Sequence, residues 1–306
     1  FGSSASAQGE RSQRCPPAIA RGALPAMVEP EPAGAAEVDV LIFDIDDTLY
    51  PVSSGFSDHR NGEVVCRFMV ERLGFQTSQE AKTLRDEFFK KYHSTLKGLT
   101  IADGEGRLPR PFKKEELGEF WAEHCDFPKY VKPNPELADA LRSLRADAGL
   151  ELVAFTNSPR RYALRCLDSL GVREHFPDSH VFAVEDVLPA CKPEPEAFQT
   201  VLAAMGCHDP QRAVMFEDSM KNIRACKALG LRTVLVCEAL GSTPGGEAAL
   251  LGDVADAGDS AVDCALGDIV ELRSRLPGLW QKRFAPPTSA GGGGALGGQP
   301  PADTLM

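Results

Sequence analysis

Asp44, Asp46 and Asp47 place three carboxylates within four residues, where the apolar run Val38-Asp39-Val40-Leu41-Ile42-Phe43 stops. Asp44 and Asp46 are two apart, so on an extended backbone both side chains leave the same face. Carboxylates held side by side repel, which raises one pKa unless a proton or a cation intervenes. Mg²⁺ meets that need, because it takes carboxylate, water and phosphate oxygens. The pattern offers a nucleophile, an acid and a metal site at one point of the chain.

A second pair of acids, Glu217 and Asp218, ends another apolar run, Ala213-Val214-Met215-Phe216. Between the two acidic clusters lie Thr156-Asn157, after the run 151–155, and Lys192 in Lys192-Pro193-Glu194-Pro195. Taken singly, each has a bland alternative. An acidic turn can follow any core strand, Thr156 or Ser219 can cap a helix, and a Lys before Pro can be a solvated loop residue.

The elements that would position these residues follow from hydrophobic patterning. Short runs rich in β-branched and aromatic residues read as strands buried on both faces, the character of parallel strands between helices. Strands are expected at 38–43, 151–156, 181–183, 213–218 and 232–236, with a sixth at 263–265. Helices are expected at Glu136–Arg145, Arg160–Leu170, Glu196–Met205, Met220–Leu229 and Ile269–Leu276, with Gly171 and Gly230 as stops. This βαβ alternation calls for right-handed parallel crossovers, so the fold class is α/β with a doubly wound, Rossmann-like parallel sheet. In such a sheet the C-terminal strand ends share one edge. Asp44/Asp46, Thr156/Asn157, Lys192 and Glu217/Asp218 would meet there, although the outermost are more than 170 residues apart.

Only helical patterns separate the first two strands. Gly62–Gly74 carries Val64, Val65, Phe68, Met69 and Leu73 at helical spacing. Ser78–Leu99 carries Leu84, Phe88, Phe89, Tyr92 and Leu96, and Lys114–His124 is a third helix. The expected organisation is a core at 38–50 and 136–285, with an inserted all-helical subdomain at 51–135.

Asp44-Ile45-Asp46-Asp47-Thr48 matches the DxDxT signature of the haloacid-dehalogenase-like hydrolases, most of which are phosphatases. The four polar segments resemble that family's four motifs in order and character, over roughly residues 38–275. The resemblance implies that Asp44 attacks phosphorus and that Asp46 is the general acid and base. It implies that Thr156, Asn157 and Lys192 bind the phosphoryl group. Mg²⁺ would be held by Asp44, Asp46 and Asp218, with Glu217, Ser219 and Asn222 supporting Asp218, and the helical insertion would be the family's first type of cap.

A narrower resemblance lies in Leu49-Tyr50-Pro51, Ser53-Ser54-Gly55-Phe56, Tyr92–Leu99, Asn157-Ser158 and Phe216-Glu217-Asp218-Ser219. These are similar to the pyrimidine 5′-nucleotidase branch, except that His93-Ser94 stands where Tyr-Gly is expected. The implied substrate is a small phosphorylated metabolite, a nucleoside monophosphate first of all. Flavin mononucleotide, pyridoxal phosphate, phosphoglycolate or a sugar phosphate are alternatives, and a phosphomutase shares every core residue. A dehalogenase would use Asp44 but needs no metal and no acid two residues on. A non-enzymatic relative would be expected to have lost Asp44 or Lys192.

Composition bounds the rest. The 306 residues are 43% hydrophobic with a formal net charge of −11, which disfavours nonspecific nucleic-acid binding. No run approaches the roughly 20 apolar residues of a membrane span, so a soluble intracellular protein is expected. Nine scattered cysteines include no CxxC pair, pointing away from zinc sites and disulfide frameworks. Residues 1–37 are rich in Ala, Gly, Ser and Pro, and up to Met27 hold Arg11, Arg14 and Arg21 against Glu10. That leader reads as disordered or as a transit peptide, hence a cytoplasmic or plastid location. The Gly-rich tail, 286–306, reads as disordered.

Overall fold

Among the described residues, strands occur in the chain order β1 (Ala36–Glu37), β2 (Val40–Phe43), β3 (Glu151–Phe155), β4 (Val181–Phe182), β5 (Ala213–Glu217), β6 (Arg232–Val236), β7 (Cys264–Leu266) and β8 (Arg283–Phe284). The computed structural model describes residues 1–2, 36–238 and 250–286. The chain divides into two units, Phe1–Ala33 and Gly34–Met306, and all that follows concerns the second. The expectations for the leader 1–37 and the tail 286–306 lie almost wholly outside the described residues.

Six strands form one parallel sheet in the order β4-β3-β2-β5-β6-β7, as the βαβ pattern requires. The chain winds outward from β2 through β3 to β4, then returns to the other side of β2 with β5. The strand order therefore reverses at β2/β5, where open α/β sheets bind ligands. Phe43 pairs with Ala154 on one side and Phe216 on the other, so the three strand tips end level. The Phe43 and Phe216 rings stack at 4.6 Å just below that edge.

Residues alternate between the two faces of the sheet, and both faces are buried. Leu41 and Phe43 join α7 (Pro135–Ala146) and α8 (Arg160–Leu170) in one hydrophobic cluster. Val40 and Ile42 join α10 (Pro195–Ala204) and α11 (Met220–Ala228) in another. Each fully buried apolar side chain of this kind contributes about 1.5–3 kcal/mol. The short helix α9 (Val184–Val187) follows β4.

Helices fill the stretch between β2 and β3: α1 (Phe56–Asp58), α2 (Val65–Glu71), α3 (Ser78–Tyr92), α4 (Thr95–Gly104), α5 (Lys114–His124) and α6 (Phe127–Tyr130). Two expectations are corrected here. The first helix begins at Phe56, not Gly62, and passes through a π-helical stretch, His59–Val64, between α1 and α2. Gly55 in the left-handed region (φ 73°) starts it, and Phe56 packs on Phe127 and Tyr162. The helix expected at Ser78–Leu99 is two helices, broken where His93 adopts φ 57° and Ser94 caps α4. Tyr92 and Leu96 remain one turn apart in sequence, so hydrophobic spacing carries no trace of the break.

Smaller differences lie elsewhere. The sixth sheet strand is Cys264–Leu266, one residue later than expected. The helix expected at Ile269–Leu276 is a 3₁₀ turn, Ile269–Glu271, followed by a single α turn, Leu272–Arg275. The antiparallel pair β1/β8 was not expected.

The helical block seats on the sheet layer through a close approach. A Cβ on Gly118 of α5 would lie 2.9 Å from the Cβ of Pro159, which precedes α8. One turn further on, Trp121 meets Tyr162 edge-on at 5.5 Å. Residues of block and sheet share one continuous hydrophobic cluster.

Candidate active site

Asp44 follows the last residue of β2, and its backbone N–H donates to the carbonyl of Phe216. That bond carries the β2/β5 register one step past the strand end and sets Asp44 beside Glu217. Lys192 reaches the same point from the loop between α9 and α10. Its Nζ donates to Asp44 Oδ1 at 2.6 Å, Glu217 Oε2 at 2.8 Å and the Phe155 carbonyl at 3.0 Å. Asp44, Glu217 and Asp218 each offer an oxygen within 4.8 Å of the others, and Thr48 donates to Asp218 at 3.5 Å.

One buried cation thus faces three acids. Burial pushes Asp44 well above the ordinary carboxylate range, and Glu217 adds to it while Lys192 pulls the other way. Asp218 is raised by burial, then by Glu217 and Asp44. Burial alone would discharge Lys192, but the two carboxylates bonded to it raise its pKa and keep it charged. The remaining negative charge suits a hard divalent cation with oxygen ligands, so the donor set fits Mg²⁺.

Asp46 is placed differently from the sequence expectation. β2 ends at Phe43, and Asp46 lies in a turn where Asp47 takes φ 59°. Its carboxylate is outside the acidic group. Oδ1 accepts from Arg60 Nη1 at 2.6 Å, the Tyr162 hydroxyl at 2.7 Å and the Tyr50 hydroxyl at 2.8 Å. Oδ2 accepts from Ser158 at 2.7 Å and Thr156 at 3.3 Å. Burial alone would raise Asp46, but the Arg60 charge and these donors outweigh it and hold the carboxyl at about 2. In this arrangement the Asp46 carboxyl is held in its charged form.

Thr156 Oγ1 also accepts from the Ser158 N–H at 3.0 Å, which ties the β3 tip to the start of α8. Asn157 is a joint. Its carboxamide accepts from the Lys192 N–H at 2.9 Å and donates to the Lys192 carbonyl at 2.8 Å. It also donates to the His93 carbonyl at 3.2 Å. Ser219 bonds Asp253 at 2.5 Å, not Asp218 as expected. Asn222 is buried and lines the same cavity as the acids.

That cavity holds about 140 Å³ and lies between the sheet edge and the helical block, with Asp44, Lys192 and Asp218 on one side. Arg60, His93 and Trp121 line it from the block.

A family model for haloacid dehalogenase-like hydrolases matches residues 38–230, more than half of the chain, with Asp44, Asp46, Thr156, Lys192 and Asp218 inside the match. The chain belongs to the haloacid dehalogenase-like hydrolases. It is similar to Phosphate metabolism protein 8 of Saccharomyces cerevisiae, 26% identical over 225 residues, which cover 69% of this chain and 64% of the yeast protein. The chain thus spans less than two thirds of that relative's length. It is also similar to Validoxylamine A 7′-phosphate phosphatase of Streptomyces hygroscopicus subsp. limoneus, 31% identical over 219 residues, or 70% of this chain and 91% of that one. Among solved structures, a HAD phosphatase from Thermococcus onnurineus shares the fold at 22% identity and a TM-score of 0.51, covering 78% of this chain and 97% of that chain.

Several residues of this haloacid dehalogenase-like site escaped the sequence reading. Arg60 sits in the π-helical stretch, two residues before the start of the helix expected at Gly62–Gly74, and its Nε donates to Asn61 while its guanidinium lies over Trp121 and Tyr162. Tyr162 lies within the helix expected at Arg160–Leu170, where nothing in the sequence singled it out. Tyr50 and Ser158 carried a signal, within the Leu49-Tyr50-Pro51 and Asn157-Ser158 stretches. No described helix is long and apolar enough to cross a membrane.

Proposed function

We propose that this chain is a Mg²⁺-dependent phosphate monoester hydrolase working through an aspartyl-phosphate on Asp44. The observation that supports this most is the buried Asp44–Lys192–Glu217–Asp218 group at the point where strand order reverses. Asp44, with one oxygen fixed by Lys192, attacks phosphorus in line with the ester oxygen. The P–O bond to the alcohol breaks and the alkoxide takes the proton that a protonated Asp46 delivers. Water then attacks the phosphorus of the acyl phosphate, Asp46 takes its proton, and Asp44 is regenerated. The net change is ester plus water to alcohol plus phosphate, divided into two easier steps.

Asp46, held charged by Arg60, is ready for the second half-reaction. To act as the acid of the first half it must leave Arg60 and take up a proton. Asp44 and Asp218 would hold Mg²⁺. When bound, the metal supplies positive charge to the phosphoryl oxygens, the main demand of phosphoryl transfer. Lys192 adds a second charge from the protein itself. The helical block serves as the cap that excludes water and selects the alcohol.

The substrate favoured by the Tyr50–Phe56 and Tyr92–Leu99 resemblance is a pyrimidine nucleoside 5′-monophosphate. A second reading, a sugar-type phosphate, is favoured by the cavity volume, about 140 Å³ against about 300–1,000 Å³ for larger ligands. The named activity of the Streptomyces relative supports it too. The test compares kcat/KM with Mg²⁺ for UMP, CMP, AMP, flavin mononucleotide, pyridoxal phosphate, phosphoglycolate and a set of sugar phosphates. A lead for UMP and CMP over AMP supports the first reading, and a lead for the sugar phosphates the second. Hydrolysis of none of them would overturn the phosphatase reading.

A further inference from the structure

The break between α3 and α4 meets the loop that carries Lys192 at several points. Cys191 Sγ donates to the Tyr92 carbonyl at 3.1 Å. Asn157 spans the two, bonding the His93 carbonyl on one side and both backbone groups of Lys192 on the other. Ser94 Oγ donates to the Asn157 carbonyl at 3.0 Å. Lys97 Nζ, on a buried residue, donates to Glu194 Oε1 at 2.5 Å. Glu194 Oε2 in turn accepts from the Cys191 N–H at 3.2 Å, and the Glu194 N–H donates to the Cys191 carbonyl at 2.7 Å.

Neither Lys97 nor Glu194 lines the cavity, so neither is placed to touch a substrate. Both act on the loop around Lys192, whose Nζ must span Asp44 and Glu217 at 2.6 and 2.8 Å. Buried charges in such a group depend steeply on geometry, and a misplacement of about 1 Å can cost about 100-fold in rate.

We propose that the α3–α4 break is a clasp that positions Lys192, with Lys97 and Glu194 as its positioning residues. Seating of the helical block and formation of the phosphoryl site are then one event. A block that lifts away releases the 191–194 loop and withdraws the cation from Asp44. The catalytic consequence rests on the phosphatase reading above; the placement of Lys192 does not.

The test uses the full chain with Lys97→Met, Glu194→Gln, the double variant and Lys97→Arg. The first readout is independent of activity: the rate at which an amine-modifying reagent labels Lys192, mapped by mass spectrometry. Lys192 is buried, so slow labelling is expected in the parent, at least 10-fold faster labelling in Lys97→Met and Glu194→Gln, and near-parental labelling in Lys97→Arg. The second readout is kcat, expected to fall about 10- to 100-fold, by a similar factor for every ester because Lys192 faces the group they share. The double variant should be no worse than either single one, since both cut one link. Circular dichroism separates loss of the clasp from loss of fold, and Glu194→Gln, at a half-exposed side chain, serves if Lys97→Met does not fold. Parental labelling of Lys192 in folded variants would overturn the clasp. Additive losses, or losses that differ strongly between esters, would overturn it equally. Faster labelling in a chain that hydrolyses no ester would keep the clasp and remove the phosphatase reading.

Discussion

At the scale of single residues, the site is a charge problem solved twice. Around Asp44 one lysine answers three acids, and around Asp46 one arginine and four hydroxyls answer one acid. The first arrangement leaves negative charge for a metal; the second leaves none. Asp44→Asn is nearly isosteric but removes the nucleophile, so activity should fall below a tenth of the parent's, more than about 1.4 kcal/mol of barrier. Steady-state kinetics with unchanged circular dichroism checks this. Lys192→Met strips Asp44 and Glu217 of their cation, and removing one partner of a buried pair costs about 3–5 kcal/mol. The sign with pH follows from Asp44, whose folded pKa is already raised and rises further without Lys192. Stability from such a group is present below the unfolded pKa and lost as pH climbs through the folded one. Urea unfolding with EDTA should therefore find the variant more destabilised at pH 8 than at pH 5, and the reverse order would refute this account of Lys192.

At the scale of elements, function depends on irregularities in the helical block. A π-helical stretch sets Arg60 on Asp46, and π-bulges often mark functional sites. The break at His93 and Ser94 lets the block reach Asn157 and the Lys192 loop. Gly118 lets α5 approach Pro159 closely enough for Trp121 to line the cavity. Gly118→Val should destabilise the chain by about 1–3 kcal/mol through overpacking against a rigid ring. Valine is chosen because alanine would regain about 1 kcal/mol of helix propensity and mask the clash. Denaturant titration measures it, and a variant as stable as the parent would show that α5 can move away from α8 at no cost.

At the scale of the whole molecule, an acidic chain gathers its buried negative charge at one sheet edge, so a cation should stabilise the fold as well as the chemistry. Activity should vanish with EDTA and return with Mg²⁺, while Ca²⁺, with a larger and looser coordination shell, should inhibit. Mg²⁺ at 100 times its Kd should add about 2.7 kcal/mol of stability, read as a raised thermal midpoint that Asp218→Asn reduces. Full activity after exhaustive chelation would sink the metal site. The sequence by itself determined the sheet, because six short apolar runs with helices between them admit few other solutions. It also marked Asp44 and Asp218, because polar residues at the ends of such runs must share one edge of a parallel sheet, and Lys192 through its Lys192-Pro193-Glu194-Pro195 stretch. Only the tertiary structure decided the partners. Asp46 left the acidic group because the chain turns after Phe43 and Arg60 arrives from 14 residues on. Asn157 became a joint because the α3–α4 break lies above it, and Ser219 went to Asp253. Hydrophobic periodicity records which face of an element is buried, whereas these contacts depend on caps, a π-helical stretch and a glycine contact whose effect exists only once two elements meet.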